Sequence, residues 1–159
     1  FGVIPYVTDK DYVVNSYHVD PRENIDAFTK LEIEGEYLAL SAGGAVSYVE
    51  TLDLSHNKEA IISIIQWMHE HIVYAEFNRK IGVCYQCGYE GDIELTKTTD
   101  GDFVFTCPCC GNQDDSKMNV VGRLCGYLGQ ISSGNTNKGR LDDIYHREIH
   151  LDCAEEVTL

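Results

Sequence analysis

The sequence predicts a mixed α/β fold that carries a small metal-binding module. Its clearest helix, residues 58–77, follows a strand-favouring run at 45–51, and a helix laid after a strand is half of an α/β unit. Two cysteine pairs flank a predicted β-hairpin, an arrangement typical of a zinc ribbon. At 159 residues the chain has room for one domain with a core and a small satellite.

Composition and charge exclude several classes of protein. The chain is 43% hydrophobic and 24% charged, as expected of a soluble globular protein. No apolar run approaches the roughly 20 residues of a membrane helix, so we expect no membrane partner. The net charge of −14 argues against nucleic-acid binding, which needs clustered Lys and Arg.

The cysteines indicate the redox compartment of the protein, and the first residues indicate how the sequence relates to a longer chain. Seven cysteines, four of them in close pairs, favour metal or redox chemistry over a disulfide framework in a chain without an export signal. We therefore expect a reducing, cytoplasmic compartment. The chain lacks an initiator Met and begins abruptly in apolar residues at Phe1, which predicts a piece cut from a longer chain.

Residues 1–50 are predicted to be rich in strands and loops, with one short helix. Residues 24–31 are the helix candidate. Four segments share strand-favouring residues and end at turn residues: 1–7, 12–19, 36–40 and 45–51.

The helix at 58–77 is predicted from its apolar periodicity. Ser55 or Asn57 is suited to cap its start. Trp67 and Met68 are interpreted as packing residues, and the neighbouring His69 and His71 as solvated side chains without a function. The apolar residues that recur at steps of three and four are Ala60, Ile61, Ile64, Ile65, Met68, Ile72 and Val73.

The remainder of the chain contains a hairpin, a loop and a closing helix. Strands at 92–97 and 102–106 are joined by a turn with Asp100-Gly101, a strong hairpin signal. Residues 129–139 are rich in Ser, Gly and Asn and predict a loop. Residues 140–150 predict a helix, followed by a frayed end.

The two cysteine pairs predict a zinc site. Cys84 and Cys87 lie 19 residues before Cys107 and Cys110, counted between the inner ligands, and four thiolates satisfy the tetrahedral preference of zinc. Cys109 makes the second pair ambiguous. We choose Cys107 and Cys110 because Gly then follows the second ligand in both halves, and glycine suits a left-handed turn.

A redox C-x-x-C pair and an iron–sulfur site are the rival interpretations of these cysteines. Cys109 is interpreted as a spectator. A closed four-cysteine zinc site leaves no open position for a substrate, so its expected role is structural.

The stretch from Arg123 to Gly129 carries the most specific motif. On its own, Arg-Leu-Cys-Gly-Tyr-Leu-Gly is consistent with a tight turn. It also resembles R-V-x-G-Y-L, the radical-site signature of class III (anaerobic) ribonucleotide reductases, with Leu124 in place of the usual Val. The resemblance implies that Gly126 stores the radical.

Glycine suits that role because its Cα has no side chain. The radical centre can become planar, so that its unpaired electron is delocalised over the amide nitrogen and the carbonyl. A β-carbon would crowd this planar geometry. The loop must be mobile, because a separate activating enzyme removes the hydrogen. Cys125 is next to Gly126, but the side chains of adjacent residues point in diverging directions, so Cys125 is interpreted as a small buried thiol rather than as the radical partner. Cys153 is assigned no role.

The resemblance extends over nearly the whole chain. It includes the opening F-G-V-I-P-x-V-T-D, the segment 15–19, the block from Tyr37 to Glu50 and the tail from Gly139 to Leu151. It implies the C-terminal part of a ten-stranded glycyl-radical-enzyme α/β barrel. Residues 1–80 would supply the last barrel strands and helix, 81–116 the zinc ribbon, and 117–159 the radical loop and tail.

The same resemblance implies an oxidoreductase activity for the longer enzyme. Such enzymes reduce ribonucleotides, generally triphosphates, often with formate as the reductant, and are usually homodimers. A radical S-adenosylmethionine activase with an iron–sulfur cluster generates the glycyl radical, and a cysteine outside this chain becomes the thiyl. ATP and dATP effectors would bind outside these residues. The alternatives are a free-standing radical-carrying subunit of a split reductase and a non-catalytic zinc-ribbon binding module.

Overall fold

The computed structural model describes residues 5–7, 18–55, 57–123 and 128–151. These residues form two compact units, and the turn at 5–7 is grouped with the unit that contains residues 80–146. The βαβ unit comprises residues 18–79 and 147–151, and the cysteine module comprises residues 80–146. Within the described part of the chain, no helix is long and apolar enough to cross a bilayer.

The βαβ unit contains two parallel strands joined through a helix. Strand β1 (Ser47–Glu50) pairs in parallel with β2 (Ala75–Asn78), and helix α2 (Lys58–His71) connects them. Helix α1 (Ala27–Leu38) precedes β1. This is the parallel unit expected of an α/β fold.

Side-chain caps fix where both helices begin. The Asp26 carboxylate accepts hydrogen bonds from the N–H groups of Phe28 and Thr29 at 2.9 and 3.0 Å. Asn57 caps α2 by accepting from the N–H of Ala60 at 3.1 Å. The prediction that Ser55 or Asn57 caps this helix is therefore confirmed for Asn57.

The core of the βαβ unit lies between its helices and β1. Trp67 and Phe28 pack edge to face with ring centroids 5.7 Å apart, and Met68 also packs there, so both packing predictions for α2 are confirmed. Each fully buried aliphatic side chain stabilises the unit by about 1.5–3 kcal/mol. The buried members of the core are Ala27, Leu31, Val49, Leu54, Ile64 and Leu151.

The cysteine module is built on a four-stranded antiparallel sheet in the order β4-β3-β7-β8. Its strands are β3 (Ile81–Cys84), β4 (Tyr89–Gly91), β7 (Met118–Arg123) and β8 (Leu128–Ile131).

A separate hairpin, β5 (Glu94–Lys97) and β6 (Phe103–Thr106), packs against helix α3 (Lys138–Tyr145). The shared core contains Cys84, Ile93, Leu95, Phe103, Phe105, Cys107, Met118, Val120, Ile131, Leu141 and Ile144.

Several predicted elements are confirmed with shifted ends. The strand at 45–51 and the 92–97/102–106 hairpin are present, and Gly101 takes a left-handed φ of 80° in the hairpin turn. The short helix predicted at 24–31 extends to Leu38, and the closing helix spans Lys138–Tyr145 rather than 140–150.

Other predictions are wrong. The strand at 36–40 is the end of α1, because Leu31, Glu34 and Leu38 form one buried helical face. The helix at 58–77 stops at His71: Ile72 is extended, and residues 75–78 form β2.

The loop predicted at 129–139 contains most of β8, and β3, β4 and β7 were not predicted. Of the strand predicted at 1–7, residues 5–7 form a turn and the rest lies outside the described residues. Only residues 18 and 19 of the strand at 12–19 are described, and neither is in a strand.

Candidate metal centre and glycine hairpin

Two turns of the cysteine module bring four thiols together. Cys84 is the last residue of β3 and Cys87 lies in the turn before β4, while Cys107 and Cys110 follow β6 directly. The four sulfur atoms lie within 4.8 Å of one another.

The sulfur geometry fits a tetrahedral cation. Cys84 Sγ lies 3.7 Å from Cys110 Sγ, and Cys87 Sγ lies 3.7 Å from Cys107 Sγ. A tetrahedron with metal–sulfur bonds of about 2.3 Å has edges of about 3.8 Å. The four residues that the sequence singled out can therefore hold one zinc-sized ion.

Glycine closes both cysteine turns. Gly88 and Gly111 donate their N–H groups to the carbonyl oxygens of Cys84 and Cys107 at 2.8 and 2.9 Å. Their φ angles are 75° and 70°, a region that favours glycine. The expected left-handed glycine after the second ligand is present in both halves.

Backbone N–H groups aimed at the sulfurs alter the acidity of the thiols. Burial raises the pKa of Cys84, but hydrogen bonds to its sulfur from the N–H groups of Cys87 and Gln86 and from neighbouring thiols together lower the pKa to about 7. For Cys87 the Tyr89 N–H lowers the pKa, whereas burial and the neighbouring sulfurs raise it above the ordinary value of a thiol. Clustered thiols cannot all ionise without a cation to balance their charge, so metal binding is coupled to proton release.

The cluster lies at the edge of the module's core. Cys84 and Cys107 are buried within the core, whereas Cys87 and Cys110 are exposed. Cys109 is exposed and does not belong to the group of four.

Asn112 is a neighbour that sequence reasoning missed. It is buried, and its Nδ2 lies 3.8 Å from Cys84 Sγ. Its carbonyl accepts the N–H of Cys107 at 2.9 Å, and its Oδ1 accepts the N–H of Asp114 at 3.2 Å. Asn112 therefore fixes the second cysteine turn and orients the first ligand.

The glycine motif falls in the connection between β7 and β8. These strands pair antiparallel, with Arg123 opposite Leu128, so residues 124–127 connect the two arms of a hairpin. Gly126 and Cys125 belong to this connection and lie outside the described residues, as does Cys153.

The four-thiol cluster and the connection at residues 124–127 are reached from opposite ends of strand β7. Cys84 pairs with Met118 at the start of β7, whereas the glycine connection follows Arg123 at its end. Five strand residues span about 17 Å. Strand β7 therefore links the end of β3 that carries Cys84 to the start of the connection after Arg123.

A carboxylate secures the segment that follows β8. Asp115 Oδ2 accepts hydrogen bonds from Ser133 Oγ at 2.6 Å and from the N–H of Gly134 at 3.2 Å. Asp115 begins the 3-10 turn that leads into β7. The Asp115 side chain thus joins the segment before β7 to the segment after β8. Sequence analysis did not identify this residue.

Comparison with known proteins identifies the family to which the chain is similar. The family model described as anaerobic ribonucleoside-triphosphate reductase matches residues 1–150. The chain is 37% identical over 151 residues to the anaerobic ribonucleoside-triphosphate reductase of Escherichia coli and 36% identical to that of Salmonella typhimurium, and it covers 20% of each relative.

A solved anaerobic ribonucleotide reductase has a similar fold. The likeness has a TM-score of 0.56 at 22% identity and covers 82% of this chain and 19% of that structure. The chain thus spans about a fifth of the length of the relatives that it matches. Because the family model covers almost all of its residues, the chain belongs to the anaerobic ribonucleoside-triphosphate reductase family.

Proposed function

We propose that this chain is the C-terminal, glycyl-radical-bearing portion of an anaerobic ribonucleoside-triphosphate reductase. The proposal is supported most strongly by the pairing of β7 with β8 on either side of residues 124–127, the segment of sequence that contains Gly126, in a chain of this family. Gly126 would store the radical after its Cα loses a hydrogen atom to an activating enzyme. A segment between two paired strands suits this exchange, since loops positioned by a rigid scaffold commonly carry functional residues.

The four-cysteine cluster is proposed to hold a structural zinc ion. Cys84, Cys87, Cys107 and Cys110 would supply all four ligands, which leaves no position for a substrate. The ion would crosslink the first cysteine turn to the second and so fix the end of β3, against which β7 is paired.

Residues 1–80 are proposed to supply the last strands and helix of the family's ten-stranded barrel. The parallel β1-α2-β2 unit and the likeness to the solved reductase support this. Residues 81–116 would be the zinc ribbon and 117–159 the radical loop and tail.

The remaining functions belong to the longer enzyme of which this chain would be part. The proposed reaction reduces ribonucleoside triphosphates, with formate as the reductant. The Gly126 radical would convert a cysteine outside this chain to a thiyl, which takes the 3′-hydrogen of the ribose. A radical S-adenosylmethionine activase with an iron–sulfur cluster would generate the radical in a cytoplasmic homodimer, and ATP and dATP would act outside these residues.

Anaerobic electron paramagnetic resonance tests the proposal. The chain is incubated with its host's activase, S-adenosylmethionine and an electron donor, beside Gly126→Ala and Gly134→Ala variants. Gly134→Ala is the matched control, because a β-carbon there would meet no atom within 4 Å.

The expected result is a radical signal in the wild type and the Gly134→Ala chain, with none in Gly126→Ala. Air should then break the chain near Gly126. A signal that survives Gly126→Ala would refute the assignment. If all three samples are silent, the test is repeated on the longer natural chain, and silence there would favour a zinc-ribbon binding module.

A further inference from the structure

The cysteine module is a continuous stretch of chain with two connections to the βαβ unit. The chain leaves that unit after Arg79 and returns to it at Arg147. The residues next to these two connections, Asn78, Arg79 and Arg147, all belong to the βαβ unit.

The outgoing connection is held at the end of β2. Asn78 lies opposite Glu50 in the parallel pair, and its Nδ2 donates to both carboxylate oxygens of Glu50 at 2.8 and 2.9 Å. The carbonyl of Asn78 accepts the N–H of Thr51 at 3.0 Å. The adjacent Arg79 forms an ion pair with Asp53 at 3.1 Å.

The returning connection meets the same residue of β1. Arg147 Nη1 donates to Glu50 Oε1 at 3.2 Å. The N–H groups of His150 and Leu151 point at the carbonyl of Glu50 from 3.0 and 3.3 Å. In return, the N–H of Glu50 donates to His150 Nδ1 at 3.1 Å.

Glu50 therefore uses its N–H, its carbonyl and both carboxylate oxygens on the two connections. Its side chain is 12% exposed and that of Arg147 is 14% exposed, so water competes little for the ion pair. Glu50 Oε1 accepts hydrogen bonds from both Asn78 and Arg147. This single atom therefore couples the outgoing connection to the returning one.

We propose that Glu50 is a positioning residue that clamps both connections of the cysteine module to the end of β1. The restraint acts on the chain itself, so it does not depend on which metal or radical the module carries. It predicts reciprocity: a change that frees one connection also loosens the other, although the two are far apart in sequence.

Hydrogen exchange followed by mass spectrometry measures this directly. The reporters are the amide of Thr51 for the outgoing connection and those of His150 and Leu151 for the returning one. Glu50→Gln preserves the size of the side chain but removes the charge that holds Arg147. It should speed exchange at both reporters by about tenfold or more, the factor expected for losing one hydrogen bond to a charged group.

Two further variants test the coupling. Arg147→Gln should speed exchange at Thr51, and Asn78→Ala should speed exchange at His150 and Leu151, because each weakens the shared carboxylate's hold on the other side. Arg147→Lys keeps the charge and should restore part of the protection at Thr51.

Glu32→Gln, an exposed change on α1, is the matched control and should alter neither reporter. Amides of the β5–β6 hairpin and the bound metal content should stay at wild-type values in every variant. The proposal is overturned if each variant loosens only its own connection. Faster exchange spread evenly through the chain, including β5 and β6, would overturn it as well, since Glu50 would then be an ordinary fold contact.

Discussion

Gly82 is a glycine at which even the addition of a single methyl group should destabilise the fold. It lies in β3 two residues before Cys84, and a β-carbon there would lie 2.6 Å from Ile93 Cγ1 and 2.8 Å from Ile93 Cδ1. Carbon atoms pack at about 3.5–4.0 Å, so one of them must move by about 1 Å. Ile93 is fully buried in the module's core and cannot turn into solvent.

We therefore expect Gly82→Ala to destabilise the cysteine module by about 1–3 kcal/mol, the usual cost of overpacking. The lower backbone entropy of alanine in the unfolded chain offsets about 0.5–1 kcal/mol of this. Gly134→Ala is the control, with open space around the added carbon and an expected change within about 0.5 kcal/mol.

Hydrogen exchange of the β5–β6 amides under saturating zinc provides the stability of the module, and the single tryptophan, Trp67, reports separately on the βαβ unit. Gly82→Ala should affect the first signal and leave the second unchanged. If Gly82→Ala changes the stability of the module as little as Gly134→Ala does, Ile93 does not approach β3 as closely as the structure shows.

A second change at the same contact sharpens the test. Ile93→Ala alone should cost about 2–5 kcal/mol through the cavity that it leaves. Combined with Gly82→Ala it should cost clearly less than the sum, because the new methyl group occupies space that the isoleucine has vacated. Additive costs would show that the two residues are not in contact.

Three further predictions concern the metal, the turns and pH. Cys107→Ser should abolish stoichiometric zinc in metal analysis while Cys109→Ser retains it, and equal loss in both would contradict the ligand set. Gly88→Ala should destabilise the zinc-bound module by about 1–2 kcal/mol in thermal unfolding, since its φ of 75° is strained for alanine; no change would argue against the left-handed turn. Burial lowers the pKa of His150 to about 4, so the stability that its neutral form contributes is complete above about pH 6.5 and is lost as pH falls towards 4. Trp67 fluorescence should report that loss, and His150→Asn should flatten it; an unaltered pH profile would refute the role of His150.

The parts of the site that lie close together in sequence were predictable. The cysteine spacing, the turn glycines and the Asp-Gly hairpin each depend on a few neighbouring residues, so local pattern was enough to predict which four thiols meet. The choice of Cys110 over Cys109 rested on Gly111, whose left-handed backbone the structure shows.

What the sequence did not predict depends on distant partners. The strands β3, β7 and β8 are short, and β7 is specified by pairing with β3 rather than by a long periodic run. Apolar spacing alone did not predict that the helix ends before the run Ile72-Val73-Tyr74. These β-branched and aromatic residues nevertheless favour the extended chain that leads into β2. Asn112 and Glu50 act on partners 28 and 97 positions away.

The meeting of Asn78 and Arg147 on one carboxylate oxygen has a consequence for engineering. A segment whose two ends lie side by side can be excised or transplanted without stretching its host, which is the condition that tolerated domain insertions share. We therefore expect that a short linker between Arg79 and Arg147 can replace residues 80–146 while β1 and β2 keep their register. The shortened protein would retain the βαβ unit and lack all four thiols of the cysteine cluster, so the βαβ unit can be studied on its own.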